Sequence, residues 1–414
     1  MWPVTRLPDD ARRATLFFRL VAKRLRAASK TCIMPARQGA TEHATHAGSH
    51  PVTTAHINAI ATAVPPHDVH TAFNGLVDHM LSDRRRRAIF ERMAKRSGIE
   101  SRFSFIEPDT TETGEVTDTE RFYRRGAFPT TAQRMERYER WAPDLANAAI
   151  DRLDPDIAAQ GVTHVVVASC TGFVAPGLDQ ILIRRTGIDP SAERTLVGFM
   201  GCYAAVNSLR LAHHIVRSTP EARVLVVNVE LCTLHLQETE EVDKLLAMLL
   251  FSDGASAALV TAEDKGIALG DFRSAAIGGS EDLITWRIGD NGFVMHLDGH
   301  VPIRIAETLA NERMRNEPGG LLRGLSPADY DLWAVHAGGR TILDAVEKGF
   351  ELPDDALRPS REVLRRYGNM SSATLMFVLA GMLAEHGGRG EQRDGIAMAF
   401  GPGLAAETFR FRLA

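Results

Sequence analysis

Apolar and polar positions along the chain alternate between short apolar runs that suit strands and stretches of helical period. Residues 57–64 predict a strand closed by Pro65 and Pro66. Residues 84–97 put Ile89, Phe90 and Met93 at helical spacing, which predicts a helix whose arginines line an exposed face. Residues 138–153 read as a helix before a strand at 165–168, followed by a helix at 178–185 and a short strand at 195–199. A long helix is expected over 203–216, beginning at Cys202. The valine-dominated run 224–229 has the pattern of a central strand buried on both faces, and 255–260 gives a further strand. The second half repeats this order: a strand at 332–335, a helix at 341–348, a long helix at 373–383 beginning near Asn369, and a buried strand at 396–400. This alternation argues an α/β layered fold.

The two halves also share a specific stretch. Residues 163–172, which reach forward to Gly201-Cys202, look like residues 330–339, which reach forward to Gly368-Asn369. The spacings agree, since 202 − 170 = 32 and 369 − 336 = 33. Overlaying the copies sets Cys170 opposite His336 and Cys202 opposite Asn369. A pseudo-twofold axis would then bring loops from both halves around one pocket, with two stacked sheets and a shared central helix layer. The expected division is a half carrying the nucleophile at 55–265 and a half carrying His and Asn at 266–414.

Composition narrows the function classes. The chain has 414 residues, 44% hydrophobic and 24% charged, enough to bury large cores. A formal net charge of −4 offers no overall attraction for nucleic acid or an anionic membrane. Cys32, Cys170, Cys202 and Cys232 are scattered without a CxxC pair, which fits reduced thiols in a cytoplasm better than disulfides or a metal site. No apolar run reaches the roughly 20 residues of a membrane span.

The first 50 residues differ, with nine basic against three acidic side chains, an excess of 9 − 3 = 6. Apolar residues at 16–25 lie between them as in a basic amphipathic helix, and 35–54 read as linker. Segment 1–54 is therefore expected as a loosely attached extension, with Met34 an alternative start. Membrane contact by this segment is the lesser reading.

Cys202 falls between a strand and a helix, where a thiol meets the positive end of the helix dipole and its pKa is expected to drop. A thiolate accepts acyl groups from other thioesters readily. His336 closes the apolar run 332–335 and is followed by Ala337, Gly338 and Gly339, so it is expected to face the crevice where α/β folds bind ligands. Asn369 stands at a helix start, where its amide can cap and can also donate to a developing oxyanion.

These residues resemble a known family. Gly201-Cys202-Tyr203-Ala204-Ala205, Val335-His336-Ala337-Gly338-Gly339 and Tyr367-Gly368-Asn369-Met370-Ser371-Ser372-Ala373 are similar to the Cys, His and Asn motifs of type III polyketide synthases. These are the chalcone synthase-like enzymes of the thiolase superfamily. Pro176-Gly177, Leu250-Phe251-Ser252-Asp253-Gly254 and Phe400-Gly401-Pro402-Gly403-Leu404 match as well, so the likeness runs from about residue 55 to the end. Ser169-Cys170-Thr171-Gly172 looks bacterial rather than plant-like. Biosynthetic thiolases carry a second Cys near the carboxyl end, absent from Phe400-Gly401-Pro402-Gly403. Initiating ketoacyl synthases use His-Gln-Ala-Asn where this chain has His-Ala-Gly-Gly. Both differences favour the type III family, whose plant members usually have Pro at the position of Ala337.

The resemblance implies a thiolase-like duplicated αβαβα fold and a homodimeric acyltransferase. An acyl-CoA starter would load onto Cys202 and be extended with malonyl-CoA by decarboxylative condensation, without metal or cofactor. His336 would hold the Cys202 thiolate by ion pairing and, with Asn369, bond the malonyl thioester carbonyl. It implies coenzyme A contacts at Arg92, Arg96 and Thr341, with Ile89 where a further Lys is frequent. Phe251 would be one gatekeeper and Met295 would replace the second. Cys170, Cys232 and Ser371 would line the substrate pocket, the two cysteines where plant enzymes have hydroxyls. An initiating ketoacyl synthase-like enzyme, a non-turnover acyl-CoA-binding protein and a Cys-His thioester hydrolase stand as alternatives.

Overall fold

The computed structural model describes residues 53–109, 117–388 and 390–413, which belong to one unit spanning 52–414. The basic extension expected over 1–54 lies outside the described residues except for Thr53 and Thr54.

The first half runs β1 (Ala55–Ala63), β2 (His67–Asp68), α1 (His70–Met80), α2 (Arg84–Ser97), β3 (Phe103–Ser104), α3 (Thr131–Leu153) and β4 (His164–Ser169). It continues through α4 (Leu178–Thr186), β5 (Glu193–Gly198), α5 (Ala204–Ser218), β6 (Val224–Leu231), α6 (Val242–Leu250) and β7 (Asp253–Thr261). The second half runs β8 (Ile267–Ala276), the hairpin β9 (Ile284–Gly289) and β10 (Gly292–Leu297), α7 (Val301–Arg315) and β11 (Leu332–Val335). It ends with α8 (Arg340–Phe350), α9 (Arg358–Tyr367), α10 (Ala373–His386), β12 (Arg393–Gly401) and β13 (Ala405–Leu413).

Nine strands join in the order β11-β12-β13-β8-β1-β7-β6-β4-β5. The duplication is visible in it: β1, β4, β6 and β7 of the first half correspond to β8, β11, β12 and β13 of the second. The two half-sheets stack about a shared helix layer as expected, and they are also joined at one edge, where β1 pairs antiparallel with β8 through Ala55, His56 and Ile57. The copies also diverge. A strand, β5, precedes Cys202, whereas a helix, α9, precedes Asn369.

Side-chain alternation builds five layers from this sheet. In β6, Val224 and Val226 point into a core shared with α5, α10 and β11–β13. Leu225, Val227 and Val229 point the other way, onto α3 and α4. On the second half-sheet, Ala334 and Ala397 face the same central helices, while Trp333, Val335 and Met398 face α7 and α8. Helices α5 and α10 are therefore the shared middle layer, and each begins within a few residues of a candidate site residue. A small cap of α1, α2 and α6 packs through Phe73, Leu76, Phe90, Leu245 and Leu249.

Candidate active site

Cys202 sits in a single 3-10 turn, Gly201–Tyr203, between β5 and α5. The turn is tight because Gly201 adopts φ 75°, and a Cβ there would meet Pro402 Cδ at 2.4 Å. Glycine thus lets the β12–β13 connection close over the nucleophile loop. Phe199 takes a left-handed backbone at φ 58° two residues earlier, strain of a kind that collects at functional sites.

His336 follows β11, with its N–H donating to Met398 O at 2.8 Å. It is buried, and neither ring nitrogen has a hydrogen-bond partner among the described residues. Asn369 is clamped by its backbone: its N–H donates to Leu250 O at 2.8 Å, and Ser252 N–H donates to its carbonyl at 2.9 Å. Its Nδ2 donates to Gly338 O at 3.1 Å and its Oδ1 accepts from Ser371 N–H at 2.8 Å. Asn369 therefore ties the loop after His336 to Ser371. Ser371, with φ 49°, reaches two thiols of the pocket, lying 3.8 Å from Cys202 Sγ and 3.1 Å from Cys170 Sγ.

An open cavity of about 290 Å³ runs from these residues under the cap. Cys170, Cys202, Cys232, Phe251, Met295 and Ser371 all line it, so the expected pocket residues converge on one space. Most of the remaining wall is apolar, including Phe73 and Leu76 of α1 and Met248 of α6. His336 and Asn369 are buried beside this group and do not form its wall. Arg92, Arg96 and Thr341 are exposed and lie outside the cavity wall. Arg340, next to Thr341, donates to Arg96 O at 3.2 Å, which joins the starts of α8 and the end of α2.

The electrostatics differ from expectation at the nucleophile. Burial pushes the Cys202 thiol up to about 11, and the charge of Glu230 adds to the rise, while hydrogen bonds from Ser371 and Asn369 pull against it. Burial likewise lowers the His336 imidazole to about 3. Both shifts favour the neutral forms and so oppose the thiolate–imidazolium pair that the resemblance implies. Desolvation outweighs the helix dipole because the charged forms have lost their water.

Five residues in and behind the cavity wall escaped the sequence reading. Glu230, wholly buried at the end of β6, accepts from Cys170 N–H at 3.0 Å, Thr171 Oγ1 at 2.9 Å, Cys170 Sγ at 3.3 Å and the Ser372 hydroxyl. A carboxylate closing an apolar strand was the signal that would have found it. Trp286 Nε1 donates to Cys170 O at 2.8 Å, and His235 stacks on Phe293 at 4.2 Å between ring centroids. Arg102 donates through Nη1 to Met248 O at 3.0 Å and Phe251 O at 2.8 Å, fixing the segment that carries Phe251.

The N-terminal domain model of the chalcone and stilbene synthases matches residues 43–264, and the C-terminal domain model matches 273–413. The chain belongs to the chalcone and stilbene synthase family. This synthase is 30% identical, over 376 residues, to the alpha-pyrone synthesis polyketide synthase-like protein Pks18 of Mycobacterium tuberculosis, covering 87% of this chain and 92% of that one. It is 35% identical over 283 residues to 1,3,6,8-tetrahydroxynaphthalene synthase of Streptomyces coelicolor, covering 67% and 74%. The crystal structure of PKS-I from the brown alga Ectocarpus siliculosus superposes with TM-score 0.78 at 28% identity, covering 88% of this chain and all of that one, 100%. The type III polyketide synthase domain of Steely1 from Dictyostelium shares the fold, with TM-score 0.75 at 24% identity over 87% and 99%. The synthase is accordingly a transferase of the condensing, polyketide-forming kind with a thiolase-like fold. Among the described residues no helix is long and apolar enough to cross a membrane.

Proposed function

We propose that the synthase takes an acyl group from an acyl-CoA starter onto Cys202 and extends it with malonyl-CoA by decarboxylative Claisen condensation. One observation carries this reading: a cysteine from the first half meets Ser371 and Asn369 from the second at the end of one apolar cavity.

In the loading step Cys202 Sγ attacks the starter carbonyl, the carbonyl–sulfur bond to coenzyme A breaks, and coenzyme A leaves as its thiol. His336 carries the proton between the two sulfurs. Its two unpartnered ring nitrogens support that role, since a neutral imidazole near pH 7 can accept on one nitrogen and donate from the other. In the extension step the malonyl carboxylate leaves as carbon dioxide, and its electron pair forms an enolate at the thioester carbonyl. Donors from His336 and Asn369 meet the enolate oxygen. The enolate carbon then attacks the acyl-Cys202 carbonyl and displaces the thiolate, giving a β-keto thioester on coenzyme A. Decarboxylation generates the carbanion, so neither a metal nor a redox cofactor is needed. The apolar wall favours an apolar starter, and the product is a cyclised resorcinol, pyrone or phloroglucinol type.

Arg92, Arg96 and Thr341 take the coenzyme A moiety in this reading, with Phe251 and Met295 between it and the pocket. Both arginines are exposed, and Arg96 lies beside Arg340 at the joint of α2 and α8, which supports it. A homodimer is part of the same reading. Edge strand β5 is largely exposed, and Phe173, Leu196 and Met200 around it are 49%, 48% and 37% exposed, an apolar border that a second copy would cover. Among the described residues the free thiols Cys170, Cys202 and Cys232 favour a reducing, cytoplasmic setting.

The deciding experiment incubates the enzyme with labelled malonyl-CoA and a panel of acyl-CoA starters, reading carbon dioxide release and product masses. Extended products with wild type, and no acyl-enzyme with Cys202→Ala, are expected. Free acids without extension would point to a hydrolase, and binding without either reaction to a non-turnover protein.

A further inference from the structure

Arg102 is a buried cation to which the proposed reaction gives no task. It directly precedes β3, is 2% exposed and lines the cavity together with Phe251. Burial lowers its guanidinium to about 10, against the charges of Asp68 and Asp253, so it stays protonated near neutral pH. Among the described residues the guanidinium bonds no carboxylate, and its Nη2 is buried without a hydrogen-bond partner. A buried charge held this way is costly, and apolar packing would avoid the cost. What the guanidinium holds must therefore explain it.

Its root is fixed. The Arg102 N–H donates to Asp68 Oδ1 at 3.2 Å, its carbonyl accepts from Val69 N–H at 2.8 Å, and Nε donates to His70 Nδ1 at 3.2 Å. His70, lowered to about 4 chiefly by burial, is neutral and free to accept. At the far end Nη1 meets Met248 O and Phe251 O, where the end of α6 leaves carbonyls unpaired and a cation is favoured. Phe103 N–H donates to Ser252 Oγ at 2.7 Å, so residues 248–252 are strapped to the start of β3. The same segment carries Asn369: Leu250 O and Ser252 N–H take its N–H and carbonyl, and Phe251 bridges to it in parallel. Contact with the arginine is also direct. Gly368 has φ 68°, and a Cβ there would meet Arg102 Cγ and Leu250 O, each at 3.0 Å, so glycine lets the arginine stem lie against the residue before Asn369. His336 hangs instead from Met398 O of β12, and Cys202 from the turn after β5.

We infer that Arg102 is a positioning residue for the malonyl step, holding the segment 248–252 so that the Asn369 amide stays in place to meet the enolate oxygen. This rests on the proposed decarboxylative condensation. Arg102 enters no bond change itself. A shift of 248–252 moves Asn369 and leaves the anchors of Cys202 and His336 where they are, so loading is spared.

The test measures labelled carbon dioxide release from malonyl-CoA, and loading of Cys202 from hexanoyl-CoA by intact-protein mass. Wild type, Arg102→Met, Arg102→Lys, Asn369→Ala and Arg102→Met/Asn369→Ala are compared. Arg102→Met is expected to lower kcat for decarboxylation by about tenfold to a hundredfold with KM within about threefold, the effect of a small misplacement at a reacting centre. Its loading should stay within about threefold of wild type, which also shows a folded nucleophile loop. Arg102→Lys keeps a cation for the carbonyls and guards against a misfolded Arg102→Met: a smaller loss is expected, in decarboxylation alone. In the Asn369→Ala enzyme, Arg102→Met should change decarboxylation by less than about twofold, because a residue that acts through Asn369 has nothing left to place. Additive losses in the double variant overturn the assignment. So do equal losses of loading and decarboxylation in Arg102→Met and Arg102→Lys, or no loss in either. Wild type that loads hexanoyl groups and releases no carbon dioxide sinks the proposed condensation, whereas an active wild type with unaffected variants sinks the role of Arg102 alone.

Discussion

The hydroxyl of Ser371 lies 3.8 Å from the thiol of Cys202, a contact across 169 residues of sequence that joins the two halves at the nucleophile. The bond favours the thiolate against the burial that opposes it. Ser371→Ala should therefore slow alkylation of Cys202 by iodoacetamide by roughly threefold to tenfold near pH 8, since one pKa unit is tenfold in thiolate fraction. An unchanged rate would show that Ser371 does not tune the nucleophile.

Alkylation also reports when the thiolate forms. Cys202 is pushed up to about 11 and His336 down to about 3, shifts that both favour the neutral forms in the free enzyme. The rate should climb through the alkaline range without a plateau. A plateau already reached near neutrality would mean that His336 and Cys202 are ionised before any substrate binds.

In the proposed reaction Asn369 acts on the malonyl step rather than on loading. Asn369→Ala should lower malonyl-CoA decarboxylation by about 10²–10³-fold while acylation of Cys202 persists, the size of effect seen when one oxyanion donor is removed. Parallel loss of both activities would instead assign Asn369 to the fold of its loop, where it bonds Gly338 O and Ser371 N–H.

Burial of His336 makes stability pH-dependent. Its folded pKa, about 3, lies below the ordinary 6.5, so the unfolded chain binds the extra proton. Its contribution is complete above about pH 6.5 and is lost as pH falls toward 3. Asp253, raised to about 7 by burial, works in the opposite direction, so the His336 share is read from a variant. Between pH 7.5 and pH 5, urea unfolding should cost wild type about 2 kcal/mol more than His336→Gln. Equal losses would show that His336 is protonated in the folded enzyme.

Trp286 occupies the cavity wall and donates to Cys170 O. Trp286→Gly should enlarge the space and shift products toward additional two-carbon extensions, read by mass. An unchanged product ladder would place the size limit elsewhere, with His235 and Phe293 the next wall to alter.

The sequence by itself determined the layers and the chemistry-bearing motifs. The valine run of β6, the paired spacings to Cys202 and Asn369, and the glycines around them are local signals, because strand burial, tight turns and helix starts depend on neighbouring residues. Tertiary structure decided the rest. That the stacked half-sheets are hydrogen-bonded to each other at one edge depended on β1 finding β8. Whether Cys202 rests as thiol or thiolate depended on desolvation, which no motif records. Glu230 joined the site only when β6 and β4 brought it against Cys170 and Thr171. Pairing between strands, loss of water and contacts over a hundred residues arise only when the chain is packed, so they leave no periodic trace along it.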